Sequence, residues 1–221
     1  WVQFNSTYTE KAYSNLKTLT ENKSKSIDLF LKEKIAYLKM ITYSHRFEDL
    51  RDKDFLQTIF MLMQTSSHSF VDMGIIDDDG SHLAYIGPYQ LEKANYRDEA
   101  WFHQTMLKGL YVSDVFMGFR NFPHFVIAVL RRDANHSWIL RATIDLDMFN
   151  SMVQSVQVGK RGDAFLVNQQ RILQTSSRFN GPPLSSVAMP VFEPFFGTRV
   201  EKLKFSNGPR LVGLGWLETV N

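Results

Sequence analysis

The stretch Phe70-Val71-Asp72-Met73-Gly74-Ile75-Ile76 runs into Asp77-Asp78-Asp79-Gly80 and then into His82-Leu83-Ala84-Tyr85-Ile86. An apolar run, a polar turn ending in Gly and a return run predict a β-hairpin whose first strand is buried. The three aspartates resemble the start of a calcium loop, but they lack alternate spacing and a terminal Glu. They read as turn chemistry.

Upstream of the hairpin, residues 54–67 carry Phe55, Ile59, Phe60, Leu62 and Met63 on one face, which predicts a helix capped by Asp52 or Asp54. Residues 8–42 contain no Gly or Pro. Leu16, Leu19, Ile27, Phe30, Leu31, Ile35, Leu38 and Ile41 recur there in steps that share one helical face, with charged residues between them. A helix of about 33 residues would be about 50 Å long, more than a compact domain of half this chain covers. The alternative is two shorter helices broken near residues 22–26.

Downstream, Gly87-Pro88 ends the hairpin, and residues 96–107 predict a short helix bearing Trp101, Phe102 and Met106. Strands over 111–119, 125–131 and 137–145 follow, separated by turns at Asn121-Phe122-Pro123 and Asp133-Ala134-Asn135. Five strands with a helix inserted after the second describe an antiparallel α+β sheet of PAS-like arrangement.

The pattern then partly recurs. Residues 147–156 read as a helix, 159–163 as a turn, and 164–167 with 172–175 as a strand pair joined by a turn at 168–171. Phe165-Leu166-Val167-Asn168 parallels Gly74-Ile75-Ile76-Asp77. The Pro/Ser/Gly-rich residues 181–190 stand where the first unit has its helix, and 200–205 with 210–216 predict a late hairpin around Asn207-Gly208. No counterpart to strand 137–145 follows, so this reading expects the second unit to be truncated.

Composition narrows the function. The 221 residues hold 25 Lys+Arg against 23 Asp+Glu and are 44% hydrophobic, enough for one substantial core or two small ones. The charge is spread along the chain, so nucleic-acid binding has no basic stripe to rest on. The absence of Cys removes disulfides, thiolate zinc sites and a cysteine nucleophile, and tilts toward an extracytoplasmic compartment. No run of about 18 apolar residues predicts a membrane span. The start at Trp1 reads as an excised fragment, with the indole suited to a water-lipid boundary. Asn-x-Ser/Thr triplets begin at Asn5, Asn22 and Asn135 and carry no weight outside eukaryotic secretion.

No nucleophile elbow, phosphate loop, dinucleotide glycine cluster or His-Glu-x-x-His is present, and the six histidines have no ligand spacing. No catalytic residue, metal site or cofactor is expected. What remains is a small-ligand pocket, which needs aromatic walls and a few fixed charges. Trp101 and Phe102 on the short helix, and Tyr111 and Ser113 on one face of the following strand, supply walls. Arg97, Arg120, Arg141 and Asp145 supply charge. Each has a plainer reading: the aromatics as core, Arg97 as a surface cation, Asp145 as the cap of the next helix. Arg141, mid-strand among apolar neighbours, faces either solvent or a cavity.

The order of elements, with Tyr85-Ile86-Gly87-Pro88-Tyr89, Tyr96 to Phe102, Tyr111-Val112-Ser113-Asp114-Val115-Phe116 and Pro123 to Val129, resembles the double Cache sensor domains of bacterial histidine kinases, chemoreceptors and cyclic-di-GMP enzymes. Those stretches look most like the histidine kinases. The resemblance implies an α+β fold with a long N-terminal helix (1–44), a membrane-distal PAS-like module (45–150) that binds ligand, and a membrane-proximal PAS-like module (151–221), each module with an antiparallel sheet. In the family's amino-acid-binding branch an Arg stands two positions before a Trp-Tyr pair and an Asp closes a late strand. Trp101-Phe102 and Asp145 match two of these elements, while Glu99 stands where the Arg would be; Arg97, Arg120 or Arg141 would have to substitute.

The function implied is an extracytoplasmic ligand-sensing domain of a transmembrane receptor, a two-component histidine kinase, with no enzyme activity in this fragment. Its partners would be a small polar metabolite (a carboxylate or amine), flanking membrane helices and a second copy through the first helix. The competing reading is a ligand-independent spacer or dimerisation module.

Overall fold

A computed structural model describes residues 2–134, 136–155, 162–205 and 208–220. The chain divides into two units: Leu31–Phe149 with Val220–Asn221, and Trp1–Phe30 with Asn150–Thr219. The first helix, α1 (Val2–Ser44), is uninterrupted over 43 residues and so contributes to both. It does not break at 22–26: Thr20 and Ser26 hydroxyls donate to the carbonyls of Leu16 and Asn22, four residues back. These bonds keep the polar side chains on the helix instead of drawing its backbone away. Among the described residues no helix is long and apolar enough to cross a membrane.

In the unit of Leu31–Phe149, α1 contributes Leu31, Ile35, Leu38 and Ile41, all buried at the predicted spacing. A single turn, α2 (Phe47–Leu50), not expected from the sequence, leads to α3 (Lys53–Ser66). The Asp52 carboxylate accepts from Phe55 N at 2.9 Å and fixes the start of α3. The hairpin follows as β1 (Phe70–Asp77) and β2 (His82–Ile86). Then come α4 (Ala100–Lys108), β3 (Leu110–Val112), β4 (Phe125–Arg132), β5 (Ser137–Ile144) and α5 (Leu146–Gln154), the last of which runs across the unit boundary.

The five strands pair antiparallel in the order β2-β1-β5-β4-β3. The first and last strands of this sheet, β1 and β5, thus become neighbours within it, and both are almost wholly buried. On one face Ile76, Val126, Ala128, Leu130 and Ile139 pack with Trp101, Phe102 and Tyr96. Alternation puts Met73, Ile75, Leu140, Ala142 and Ile144 on the other face, and these are also buried. The strand expected over 111–119 stops at Val112. Beyond it the ladder continues only through the Ser113 pairing with Val126 and a bridge from Phe116 to His124, and Gly118–Arg120 forms a 3-10 turn. That turn needs left-handed backbone at Gly118 (φ 51°) and Asn121 (φ 57°), which a straight strand does not allow.

In the other unit the late hairpin is β6 (Thr198–Phe205) paired with β7 (Gly208–Gly215). Gly213 and Gly215 lie so close to Thr20 and Ser24 of α1 that any side chain on them would collide. The strand pair expected over 164–175 is reduced to isolated bridges, Val167 with Leu173 and Ile172 with Ser186. The turn expected at 168–171 is present: the Asn168 side-chain oxygen accepts from Gln170 N and Ile172 N, and Arg171 takes φ 64°. Leu173, Val187 and Met189 form a small core beside Phe165, Val167, Phe192 and Phe205. Asn135, the turn residues 159–161, the helix end at 156 and the turn residue Asn207 lie outside the described residues.

Candidate functional site

The chemistry gathers on the sheet face that α4 covers. Cross-strand partners set it up: Gly74 of β1 lies opposite Arg141 of β5 on one side and Tyr85 of β2 on the other, and Asp72 lies opposite Thr143. Residues two apart in a strand share a face, so Asp72, Arg141, Thr143 and Tyr85 converge there. Gly74 leaves the room; a Cβ on it would run into the His82 ring. From the far edge the 3-10 turn delivers Arg120. Gly118 allows this turn to close, since a Cβ there would stand 2.8 Å from the rings of Phe116 and His124.

Asp72 is the hub. Arg120 Nη2 donates to its Oδ2, Tyr85 Oη donates to the same oxygen at 3.1 Å, and Arg141 Nη2 lies 3.4 Å from Oδ1. The side chains of Arg120, Arg141 and Asp72 are 1%, 2% and 0% exposed. Arg141 Nη1 also donates to Thr143 Oγ1 at 3.2 Å. Each guanidinium lies over an aromatic ring, Arg120 over Tyr89 at 5.0 Å and Arg141 over Tyr96 at 5.4 Å. Tyr89 N donates to Tyr85 Oη, and the Gly87 backbone passes so close to Asp72 Cβ and Tyr85 Oη that no side chain fits there. The cluster is therefore roofed by residues 85–96.

Burial depresses the Arg120 guanidinium below its ordinary value. Burial acts in the same direction on Arg141, but Asp72, Tyr96 and Tyr85 carry it above its ordinary value. Burial, with Asp72 adding to it, pushes the Tyr85 phenol up, and burial pushes up that of Tyr96. His82 and His124, also desolvated, drop to about 4 and stand neutral at pH 7. The cluster thus holds two cations and one anion, a net charge of +1 out of water. Several of its polar atoms have no hydrogen-bond partner: Arg120 Nε and Nη1, Arg141 Nε and Nη2, Asp72 Oδ1 and Tyr96 Oη. Orphaned buried donors cost about 1–3 kcal/mol each, which marks this place as one kept for a reason other than stability.

The residues expected to form the pocket fall into three groups. Arg120 and Arg141 meet at the cluster, and Trp101, Phe102 and the half-buried Tyr111 lie in the apolar layer on the same face. Ser113 is occupied in pairing with β4, its hydroxyl accepting from Val126 N at 2.9 Å. Arg97 and Asp145 are elsewhere: Arg97 is exposed, and Asp145 Oδ1 accepts from Met148 N at 3.0 Å, capping α5. Asp72, Tyr85, Tyr89 and Tyr96 were not anticipated as a group. The available signal was a lone Asp in one apolar strand and a lone Arg in another, since buried charges need partners. An open groove of about 630 Å³ between α3 and the end of β2, lined by Gln57, Phe60, Met61 and Gln64 among others, also reaches Tyr85 and Gly87. Among the described residues no group of three or more His, Asp or Glu could hold a metal ion.

No family model matches this sequence, and no curated protein does. Solved structures do. The ligand-binding domain of the Pseudomonas aeruginosa PAO1 amino acid chemoreceptor PctB, in complex with L-Arg, is similar with a TM-score of 0.69 at 15% identity, over 90% of this chain and 79% of that one. The ligand-binding domain of the Campylobacter jejuni chemoreceptor Tlp3, in complex with L-valine, gives 0.68 at 11% over 93% and 88%. The extracellular domain assigned to the histidine kinase vpHK1S-Z8 gives 0.61 at 11% over 76% and 69%. With its long first helix, α+β organisation and antiparallel sheets, the chain has the fold of the double Cache sensor domains that its sequence resembles.

Proposed function

We propose that this chain is the extracytoplasmic ligand-sensing domain of a bacterial transmembrane receptor, with no catalysis of its own, and that a small polar molecule binds in the module of residues 45–150. The observation that carries this reading is the buried Arg120–Asp72–Arg141 cluster. A spacer gains nothing from burying two guanidiniums with unmade hydrogen bonds, because apolar residues would pack the same volume at lower cost. A receptor gains a prepaid set of donors that a ligand completes. The attached output is a two-component kinase on the strength of the stretches around Tyr85, Tyr96, Tyr111 and Pro123; chemoreceptors and cyclic-di-GMP enzymes remain the competing outputs.

Differential scanning fluorimetry of the 221-residue chain over a panel of polar metabolites, followed by isothermal titration of each hit, tests the reading. A ligand present at 100 times its Kd adds about 2.7 kcal/mol and raises Tm by several degrees. A dimer that persists without ligand, combined with no shift from any compound, would establish the spacer instead.

A further inference from the structure

Resting on the sensor reading, we propose that the ligand is a small carboxylate that bears no ammonium group beside it, bound between Arg120 and Arg141. Three features of the cluster converge on this class. The first is charge. Two guanidiniums and one carboxylate leave +1 in a site whose three ionic side chains are at most 2% exposed. A monoanionic headgroup brings the buried sum to zero, whereas a cation would raise it to +2 and a phosphate dianion would overshoot to −1.

The second is the supply of hydrogen bonds. Four of the orphaned atoms, Arg120 Nε and Nη1 and Arg141 Nε and Nη2, belong to guanidiniums, which can only donate, and Tyr96 Oη can donate a fifth bond. Guanidinium forks pair bidentately with carboxylates and phosphates alike, so this donor set calls for an oxyanion, and the charge count separates a carboxylate from a phosphate dianion. The stacking of Arg120 on Tyr89 and of Arg141 on Tyr96 holds both forks in orientation.

The third is the lack of a seat for an ammonium. Asp72 is the only buried acid among the described residues of the Leu31–Phe149 unit; Arg120 and Tyr85 share its Oδ2, and Arg141 Nη2 stands 3.4 Å from its unbonded Oδ1, so an ammonium would reach that carboxylate only beside two guanidiniums. Asp145, the acid that the resemblance offers for that role, caps α5. His82 is neutral, and its Nδ1 faces the Leu91 carbonyl at 2.6 Å, which makes that nitrogen the donor. Its Nε2, an acceptor without a hydrogen-bond partner, lies against Gly74, where a Cβ would fall only 2.4 Å from it, and it carries no charge to offset an ammonium's. An α-amino acid would bring a third buried cation next to two arginines, and the one buried carboxylate there is already ion-paired with both.

Matched pairs test the proposal directly: acetate with glycine, propionate with L-alanine, succinate with L-aspartate, plus propylammonium and inorganic phosphate, titrated calorimetrically into the full chain at fixed pH and ionic strength. The expected result is saturable binding of at least one carboxylate, at least about tenfold tighter than its amino acid partner, with no binding of propylammonium. Arg120→Gln and Arg141→Gln, each of which leaves Asp72 with one arginine, should weaken that carboxylate about tenfold or more. The wild-type selectivity stands as evidence even if a variant does not fold. An amino acid that binds as tightly as its partner, phosphate that binds as well as the carboxylate, or affinity unchanged in folded variants of both arginines would overturn the carboxylate assignment and leave the sensor reading intact. Silence from every compound here and in the wider metabolite panel would remove both.

Discussion

The two units of this chain handle polar groups in opposite ways. In the Trp1–Phe30 and Asn150–Thr219 unit, buried or half-buried charges are spent on structure. Asp28 accepts from the backbone N–H groups of Glu218 and Thr219, Asp163 accepts from the Ser177 hydroxyl, and Lys23 donates to the Met152 carbonyl and the Ser155 hydroxyl. In the Leu31–Phe149 unit, a five-stranded sheet covered on both faces surrounds three charges whose bonds are only partly made. Among the described residues, every orphaned charged atom belongs to that second group. The candidate site is therefore marked by its unmet demands. Counting polar residues would not have separated the two units.

The sharpest way to break this comparison is to remove the hub. Asp72→Ala leaves two buried guanidiniums facing each other and should cost about 3–5 kcal/mol. Asp28→Ala frees two backbone donors near solvent and should cost less, about 1–3 kcal/mol. Urea denaturation followed by tryptophan fluorescence measures both, and equal losses would mean that the Asp72 cluster is no more buried in effect than a loop anchor. Packing should rank next. Leu173 is fully buried in the small core of its unit, and Leu173→Ala should cost about 2–4 kcal/mol by the usual cavity penalty, with carboxylate affinity unchanged. A loss of affinity in that variant would show that the two units do not divide the work as described.

A milder probe is pH. His82 and His124 fall from 6.5 to about 4 in the folded chain because burial penalises the imidazolium. The unfolded chain then binds protons that the folded one refuses, so stability is constant above about pH 6.5 and falls as pH drops from there toward 4. The slope approaches about 1.4 kcal/mol per pH unit for each ring. Denaturation midpoints at pH 7, 6, 5 and 4.5 should trace that fall, and His124→Phe, which replaces a ring only 4% exposed, should remove about half of it. A flat profile in the wild type would show that both rings are hydrated in solution.

These tests also mark how far the sequence could be read. The hairpin β1–β2, the helix α3 with its Asp52 cap, and the hairpin β6–β7 follow from periodicity and turn residues, because hydrophobic spacing and local side-chain bonds act over a few residues. The turn at Asn168 is legible in the same way, but the flanking runs 164–167 and 172–175, which look like two strands, pair only through isolated bridges. The cluster was half legible. Arg141 stands out as a charge among apolar neighbours and Arg120 is one of several charges near the aromatic walls, but Asp72 is 48 residues from Arg120 in sequence, and only the β2-β1-β5-β4-β3 order sets β1 beside β5. Non-local pairing carries no local signature.

Asp145 gives the smallest and most discriminating effect, because two incompatible accounts of it make different demands. As a ligand partner it would lower affinity when replaced and leave the helix that follows untouched. As the cap of α5 its oxygen satisfies Met148 N, one of the helix's otherwise orphaned donors, while its backbone carbonyl accepts from Phe149 N. Asp145→Ala should then cost about 1 kcal/mol, Asp145→Ser should restore most of it because serine caps equally well, and neither should change carboxylate affinity beyond twofold. The serine variant separates the accounts. It keeps a capping oxygen and removes the charge, so any ligand effect that survives in Asp145→Ser belongs to charge, and any stability that returns belongs to the cap.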